Sequence, residues 1–339
     1  KVVSVDAKGT ATWYGTDKVD LQEGITNAGV GDGDIALPAG KYDIYFKVNE
    51  GRMWIQKYVA PEEPKPSLIV STEEVELLGT PAVDPISMTK NQATGVWTYE
   101  LDNYPSYKYY KYQIVNEGTT YYVCDIHAKA ASPDSIAAQL VDINADTDYG
   151  TKENYVNPFG NSGETQKSYA DAVIYEMHIR DWSRAFVKDS TGKFDDITNA
   201  LKNNGDFAKH LKDLGVTHVQ ILPMFDYAQT NADANYNWGY NPYQYNVPEG
   251  RYVKDHDRDG RNAVKDFRAL ILALHKAGIA VNMDVVYNHT AGIGEGSLFD
   301  MTVPKYYYRL DGDGNYSNGS GCGSEMASNA AMFKKFMID

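Results

Sequence analysis

Cysteine is almost missing: in 339 residues only Cys124 and Cys322 occur. That leaves no framework of disulfides, and two thiols in segments that read as separate domains are expected to be free. Long apolar runs are missing as well. No stretch approaches the roughly 20 residues of a membrane helix, and no signal-peptide pattern is present. Positive charge is scarce, with 32 basic residues against 46 acidic ones and a net charge of −14. Such a balance argues against a nucleic-acid backbone or an anionic membrane as partner, whereas a neutral polymer is compatible with it. Tyrosine is what the chain has in abundance, 27 residues, as surfaces that contact sugars or proteins often do. The chain opens at Lys1 without Met, as a processed or trimmed polypeptide would.

The length predicts two or three domains. Residues 1–60 read as a small β-domain. Leu37 to Val48 alternates apolar and polar residues at period two, and Asn49-Glu-Gly51 turns the chain into Met53-Trp-Ile-Gln56, a hairpin. Trp13, Tyr14 and Trp54 could form a sugar platform, but period-two aromatics are ordinary strand formers and core or edge positions are the expectation. Ala60-Pro-Glu-Glu-Pro-Lys-Pro66 is a charged, proline-rich spacer and marks a boundary. Residues 67–160 again read as β-structure, with strands at Val96–Leu101, Tyr107–Val115 and Thr119–Ile126.

The texture changes in residues 165–339. Val173–His178 reads as a strand, Asn199–Leu214 as a helix closed by Gly215, and Val216–Leu222 as a strand stopped by Pro223. Ala263–Ala277 has helical periodicity and ends at Gly278, before a strand over Ile279–Val286. Ala327–Asp339 begins another helix. Two helix–Gly–strand units predict parallel strands with right-handed crossovers. Periodicity alone allows a barrel or a doubly wound sheet.

Chemistry concentrates in two places. In Ile279 to Val285 only Asn282 and Asp284 are polar, as in a strand covered on both faces, and the run ends in Asp284, Asn288 and His289. Polar groups massed at a strand's C-terminal end are what a parallel α/β barrel offers a ligand. Upstream, Tyr236-Asn-Trp-Gly-Tyr-Asn-Pro-Tyr243 packs aromatics around a Gly-Tyr-Asn-Pro turn. A pyranose has an apolar face that stacks on aromatics and a hydroxyl rim that needs fixed donors and acceptors.

Together these stretches resemble the α-amylase superfamily of glycoside hydrolases, and the Tyr-Asn-Trp-Gly-Tyr form resembles its type I pullulanase branch. Val173-Ile-Tyr-Glu-Met-His-Ile-Arg-Asp-Trp-Ser183 is similar to that branch's first barrel strand. Pro304–Arg309 and Gly319-Ser-Gly-Cys-Gly323 are similar to its loop after the third strand, and Asp125–Ser132 to the close of its preceding β-module. The resemblance implies a multidomain fold: N-terminal β-sandwich-type modules followed by the first part, about three βα units, of a (β/α)8 TIM barrel. It implies retaining hydrolysis of α-1,6 branch points in pullulan, glycogen or starch, with an α-glucan as partner. It also places the nucleophilic Asp and the acid/base Glu on later strands, beyond Asp339, so that no catalytic residue is expected here and the missing barrel half becomes a candidate partner. Glu176, Asp226 and Glu295 are acids that resemble no catalytic pair.

By the same resemblance Tyr240 is the stacking platform at the cleavage point and His289 binds that sugar's primary hydroxyl. Asp284 orients an arginine beside the nucleophile, and Asn288 is structural. Asn237 and Trp238 shape the loop wall, and Asn241 stands where the branch commonly has Asp. No cofactor is required. Asp255-x-Asp257-x-Asp259-Gly260 echoes a calcium loop, though a charged loop is the simpler reading, because Asn262 and the short closing Asp266 depart from the pattern. Action on external polysaccharide favours an extracytoplasmic location over a cytoplasmic one. A non-catalytic glucan-binding protein and an α-1,4-acting amylase-type enzyme are the alternatives.

Overall fold

A computed structural model describes residues 65–102, 108–116, 118–143, 157–159, 168–202, 205–228, 235–254 and 259–338 with their side chains, and before them the backbone of five short strands. The chain divides into two compact units, Lys1–Glu63 and Pro64–Asp339.

In the first unit β1 (Val2–Val5), β2 (Ala11–Gly15) and β3 (Gly29–Val30) form an antiparallel sheet. β4 (Tyr42–Lys47) and β5 (Arg52–Lys57) form the expected hairpin, with Tyr45 opposite Trp54. The side chains of Trp13, Tyr14 and Trp54 lie outside the described residues.

The second unit begins with an antiparallel sheet. β6 (Lys65–Ser71) pairs β7 (Ile86–Ser87), while β8 (Thr89–Lys90) and β9 (Trp97–Thr98) make a separate small ladder. β10 (Tyr109–Asn116) pairs β6, β11 (Thr119–Val123) and β12 (Ala138–Gln139). The strand expected over Val96–Leu101 shrinks to β9. Val96 is 53% and Tyr99 44% exposed, so neither packs against a sheet face.

Alternating strands and helices follow. β13 (Ile174–Met177) leads into α1 (Ile179–Phe186), α2 (Phe194–Leu201) and α3 (Asp206–Asp213). One helix was expected over Asn199–Leu214; two short ones flank Gly205 instead. A Cβ at Gly205 would lie 2.2 Å from the Ala200 carbonyl oxygen, a turn too tight for any side chain. Gly215, at φ +69°, ends the second as expected.

β14 (His218–Ile221) is followed by the hairpin of β15 (Phe225–Tyr227) and β16 (Pro242–Pro248). Next come α4 (Gly260–Lys276), β17 (Ala280–Met283), α5 (Leu298–Thr302) and α6 (Ala331–Ile338). β13, β14 and β17 pair in parallel, with Glu176, Gln220 and Asn282 in one cross-strand row. These three strands form an open sheet, and no closed barrel exists among the described residues.

One hydrophobic core runs through both parts of this unit. It joins Ile114, Val123 and Ile126 to Phe207, Val219, Leu270, Phe299 and Phe336. Asp259 clamps the junction. Its carboxylate caps α4 by accepting from the Arg261 backbone N–H (3.1 Å), and it binds Arg261 at 2.6 Å, Lys108 at 2.9 Å and Gln139 at 2.8 Å. Hydrogen bonds from Arg261, Lys108 and Gln139 outweigh burial and hold its carboxyl below the usual range. Gly260 is needed beside it, because a Cβ there would lie 1.7 Å from the Ala131 carbonyl oxygen.

The strand expected to be covered on both faces is not. Ile279 and Val286 are buried, but Met283 is 40% and Val285 45% exposed. An apolar run states a capacity for burial, and no described element covers these two side chains.

Candidate functional site

The site lies at the C-terminal ends of the parallel strands. Its first device is a turn. The Asn237 side-chain oxygen accepts from the Gly239 N–H at 2.8 Å, an Asx turn. Gly239 sits at φ +88°, and a Cβ on it would lie 2.3 Å from the Pro223 carbonyl oxygen. Asparagine and glycine are therefore what carry Tyr240 over the end of β17.

There the Tyr240 hydroxyl donates to Asp284 Oδ2 at 2.6 Å. Partial burial, then the bond to Asp284 and its charge, then the charge of Glu176, push the phenol's pKa up. The hydroxyl keeps its proton and stays a donor, while 39% of the residue remains exposed. A ring held at its hydroxyl and open on its face is suited to stacking.

His289 is buried beneath this pair. Its Nδ1 lies 3.2 Å from Asn288 Oδ1. Burial lowers its pKa, and a hydrogen bond to the Tyr240 backbone opposes that less strongly. The imidazole is thus neutral at pH 7, with one nitrogen a donor and the other an acceptor. The Tyr245 hydroxyl donates to the His289 carbonyl, and the Asn288 carbonyl accepts from Met326 N–H at 2.9 Å. The Gly319–Gly323 loop is tied in by that last bond.

Around the platform, Trp238 is 60% exposed and meets Tyr236 edge-on at 6.5 Å. Asn241 closes the loop's base: its carbonyl accepts from Ala228 N–H at 3.0 Å, and its amide donates to the Ala228 carbonyl at 3.4 Å. All seven residues expected at the site, Asn237, Trp238, Tyr240, Asn241, Asp284, Asn288 and His289, thus fall in two adjoining segments joined by the Tyr240–Asp284 bond.

The fold adds residues that the sequence analysis did not single out. His178 Nε2 is 3.0 Å from the Asn237 carbonyl and 3.1 Å from the Tyr252 hydroxyl, with the Tyr236 ring at 4.8 Å. Arg180 lies over Tyr236 at 5.7 Å. The signal was available: His178 is the first residue past the C-terminal end of β13.

Of the other acids, Glu176 is near enough for its charge to act on Tyr240, while Asp226 and Glu295 sit elsewhere. Glu295 is exposed in the turn at residues 294–296, Glu176 is exposed on β13, and Asp226 is buried within β15 of the hairpin. Asp255 and Asp257 of the calcium-like pattern lie outside the described residues. Asp259 faces Arg261 and Lys108, which fits a helix cap better than a Ca²⁺ ligand. Among the described residues no three His, Cys, Asp or Glu side chains converge as a metal site. Both thiols are free, Cys124 buried and Cys322 exposed.

No family model matches the chain. Individual proteins do. Pullulanase A of Streptococcus pneumoniae serotype 4 is 31% identical over 313 residues, which is 83% of this chain and 23% of the relative. The solved pullulanase from Bacillus acidopullulyticus superposes with a TM-score of 0.67 at 33% identity, covering 83% of this chain and 34% of that one. A pullulanase from Anoxybacillus sp. LM18-11, solved in complex with maltotetraose, gives 0.67 at 31% identity over 81% of this chain and 39% of that one. The chain therefore spans well under half of each relative. In sequence and fold it matches pullulanases over most of its own length, as a type I pullulanase-like N-terminal portion.

Proposed function

We propose that this chain is the glucan-shaping part of a pullulanase-type enzyme that hydrolyses α-1,6 branch points with retention of configuration. The observation that carries the reading is the Tyr240–Asp284 hydrogen bond of 2.6 Å, which holds an open aromatic face at the C-terminal ends of parallel strands. Solved relatives bound to maltotriose and maltotetraose support an α-glucan as the ligand.

In this reading a glucose unit stacks on Tyr240, neutral His289 hydrogen-bonds its hydroxyl rim, and Trp238 walls the branched chain. The parallel strands are the opening part of a (β/α)8 barrel. A retaining glycosidase needs two carboxyls about 5 Å apart, one attacking the anomeric carbon and one protonating the leaving oxygen. Glu176, Asp226 and Glu295 are distributed over an exposed strand, a buried hairpin and a surface turn, which supports placing that pair outside these 339 residues. The chain by itself is then a binder without hydrolytic activity.

Calorimetric titration with maltotetraose tests the binding. The expected result is saturable binding that Tyr240→Ala weakens about tenfold, the loss of one stacking contact of ~1.4 kcal/mol. No binding, or binding indifferent to Tyr240, overturns the platform. Release of reducing ends from pullulan by the purified chain overturns the placement of the catalytic pair.

A further inference from the structure

Behind the platform loop lies a group of buried polar side chains that the proposed chemistry does not use. Asp226 in β15 is 3% exposed and Glu249, just after β16, is 0% exposed. Glu249 accepts two backbone N–H groups, from Arg251 at 2.7 Å and from Tyr227 at 3.2 Å. Arg251 continues the chain of contacts: its guanidinium donates to the Asn235 carbonyl at 3.0 Å and lies over Tyr227 at 5.6 Å. Asn235 opens the segment that carries Asn237, Gly239 and Tyr240. Glu249 thus grips both ends of the excursion that ends in the platform.

Asp226 is gripped from the other side. Ser135 donates its hydroxyl to Asp226 Oδ2, while Oδ1 has no hydrogen-bond partner. Ser135 and Asp134 have φ of +47° and +61°. Consecutive left-handed residues that are not glycine persist only where their surroundings hold them. Here they aim a hydroxyl of the β-module at a buried acid of the hairpin.

We propose that Ser135, Asp226 and Glu249 form a buried pin that fixes the base of the platform loop, that Asp226 is a positioning residue for Tyr240, and that the pin holds only while the two acids carry no more than one charge. The binding consequence rests on the glucan reading above; the pin itself does not.

The surroundings set the pH sense. Asp134 faces Asp226 from the 133–135 turn, and Cys124 and Tyr243 sense its charge from the β-module and from β16. Glu249 faces Arg251 and the phenols of Tyr227 and Tyr252. Arg251 is the cation among these groups. Burial pushes the Asp226 carboxyl up to about 7, the Ser135 bond opposing, and burial with the Asp226 charge raises Glu249. An acid whose folded pKa is raised stabilises the fold below its unfolded value, and that contribution is lost as pH rises to the folded one. The pin is therefore intact in mild acid and loosens as pH rises through about 7.

Hydrogen exchange of the full chain tests the pin without sugar. The Tyr227 and Arg251 amides, which face Glu249, are compared with the buried Val219 amide of β14 at about pH 6 and about pH 8.5. Their protection relative to Val219 is expected to fall about tenfold in the wild type, one unit of proton linkage, and to stay level in Asp226→Asn, which keeps the shape and cannot ionise. Asp226→Ala, which also loses the Ser135 bond, is expected to be less protected at both pH values. A wild-type ratio unchanged by pH overturns the pin, and this measurement decides even if the variants fail to fold.

Maltotetraose affinity followed over the same range tests the positioning role. It is expected to weaken in step with exchange in the wild type and to stay flat in Asp226→Asn. Binding that ignores pH while exchange responds overturns the positioning role. Exchange that responds while no form binds maltotetraose overturns the glucan reading and supports the pin.

Discussion

β10 runs for eight residues and pairs with β6, β11 and β12, whereas β13, β14 and β17 have four residues each and pair side by side. The longer strand is sealed by its neighbours and by the common core, with Tyr109 and Ile114 both 4% exposed. In the parallel sheet the central strand is the best sealed. Val219 and Ile221 of β14 are fully buried, while Ile174 on one side is 55% and Met283 on the other 40% exposed. Met283 and Val285 line an apolar groove against Val264, Phe267 and Ile271 of α4. The lesson concerns where stability resides. Within this unit it comes from the junction between the antiparallel sheet and the helices, and the outer parallel strands add little until something covers them.

The strongest way to break that contrast is at the junction. Phe336 of α6 is 1% exposed and packs against Tyr245 at 5.8 Å, Phe299 at 5.4 Å and His127 of the β-module at 5.2 Å. Phe336→Ala is expected to cost about 3–5 kcal/mol, the transfer term plus the cavity left behind, read as a lower urea midpoint. A loss below ~1 kcal/mol would mean that α6 is not part of the joint core.

Asp259 is next. Asp259→Ala removes a helix cap and is expected to cost roughly 1–2 kcal/mol near neutral pH. Because the folded carboxyl is held below its unfolded value of ~3.9, its contribution is complete above that value and is lost as pH falls below it. Wild type and variant should thus converge in urea midpoint below about pH 4, and a constant gap down to about pH 2 would mean that the ion pairs contribute nothing.

The smallest effect is expected on the open side. Met283→Gln, at a side chain that no described element covers, should change stability by no more than ~0.5 kcal/mol in thermal melts. A loss of ~2 kcal/mol there would show that Met283 is buried in solution by a partner or a further segment.

Local rules took the reading of this chain some distance. Gly215 and Gly278 end helices at positive φ, where an apolar periodicity meets the one residue that accepts that conformation at no cost. The polar end of β17 was legible for the same reason, whereas the turn read at Gly239-Tyr-Asn-Pro242 starts earlier, where the Asn237 side chain accepts from the Gly239 N–H. The break at Gly205 was not legible, because helical spacing continues across it and only the nearness of the Ala200 carbonyl forbids the helix. The place of His178 just past β13 was readable, but its partners were not, because Asn237 and Tyr252 lie 59 and 74 residues away in sequence.

Composition, spacing and turn chemistry pointed by themselves to β-structure followed by a parallel α/β segment with Asp284 and His289 at a strand end, while the place of Tyr240 came from the family resemblance. They act through backbone preferences and side-chain periods, which are local. Only the tertiary structure decided that Tyr240 is held by Asp284, that Asp226 meets Ser135 across 91 residues, and that Met283 is 40% exposed. Those outcomes depend on which distant surfaces come into contact, and contact free energy is shared between segments that no local pattern records.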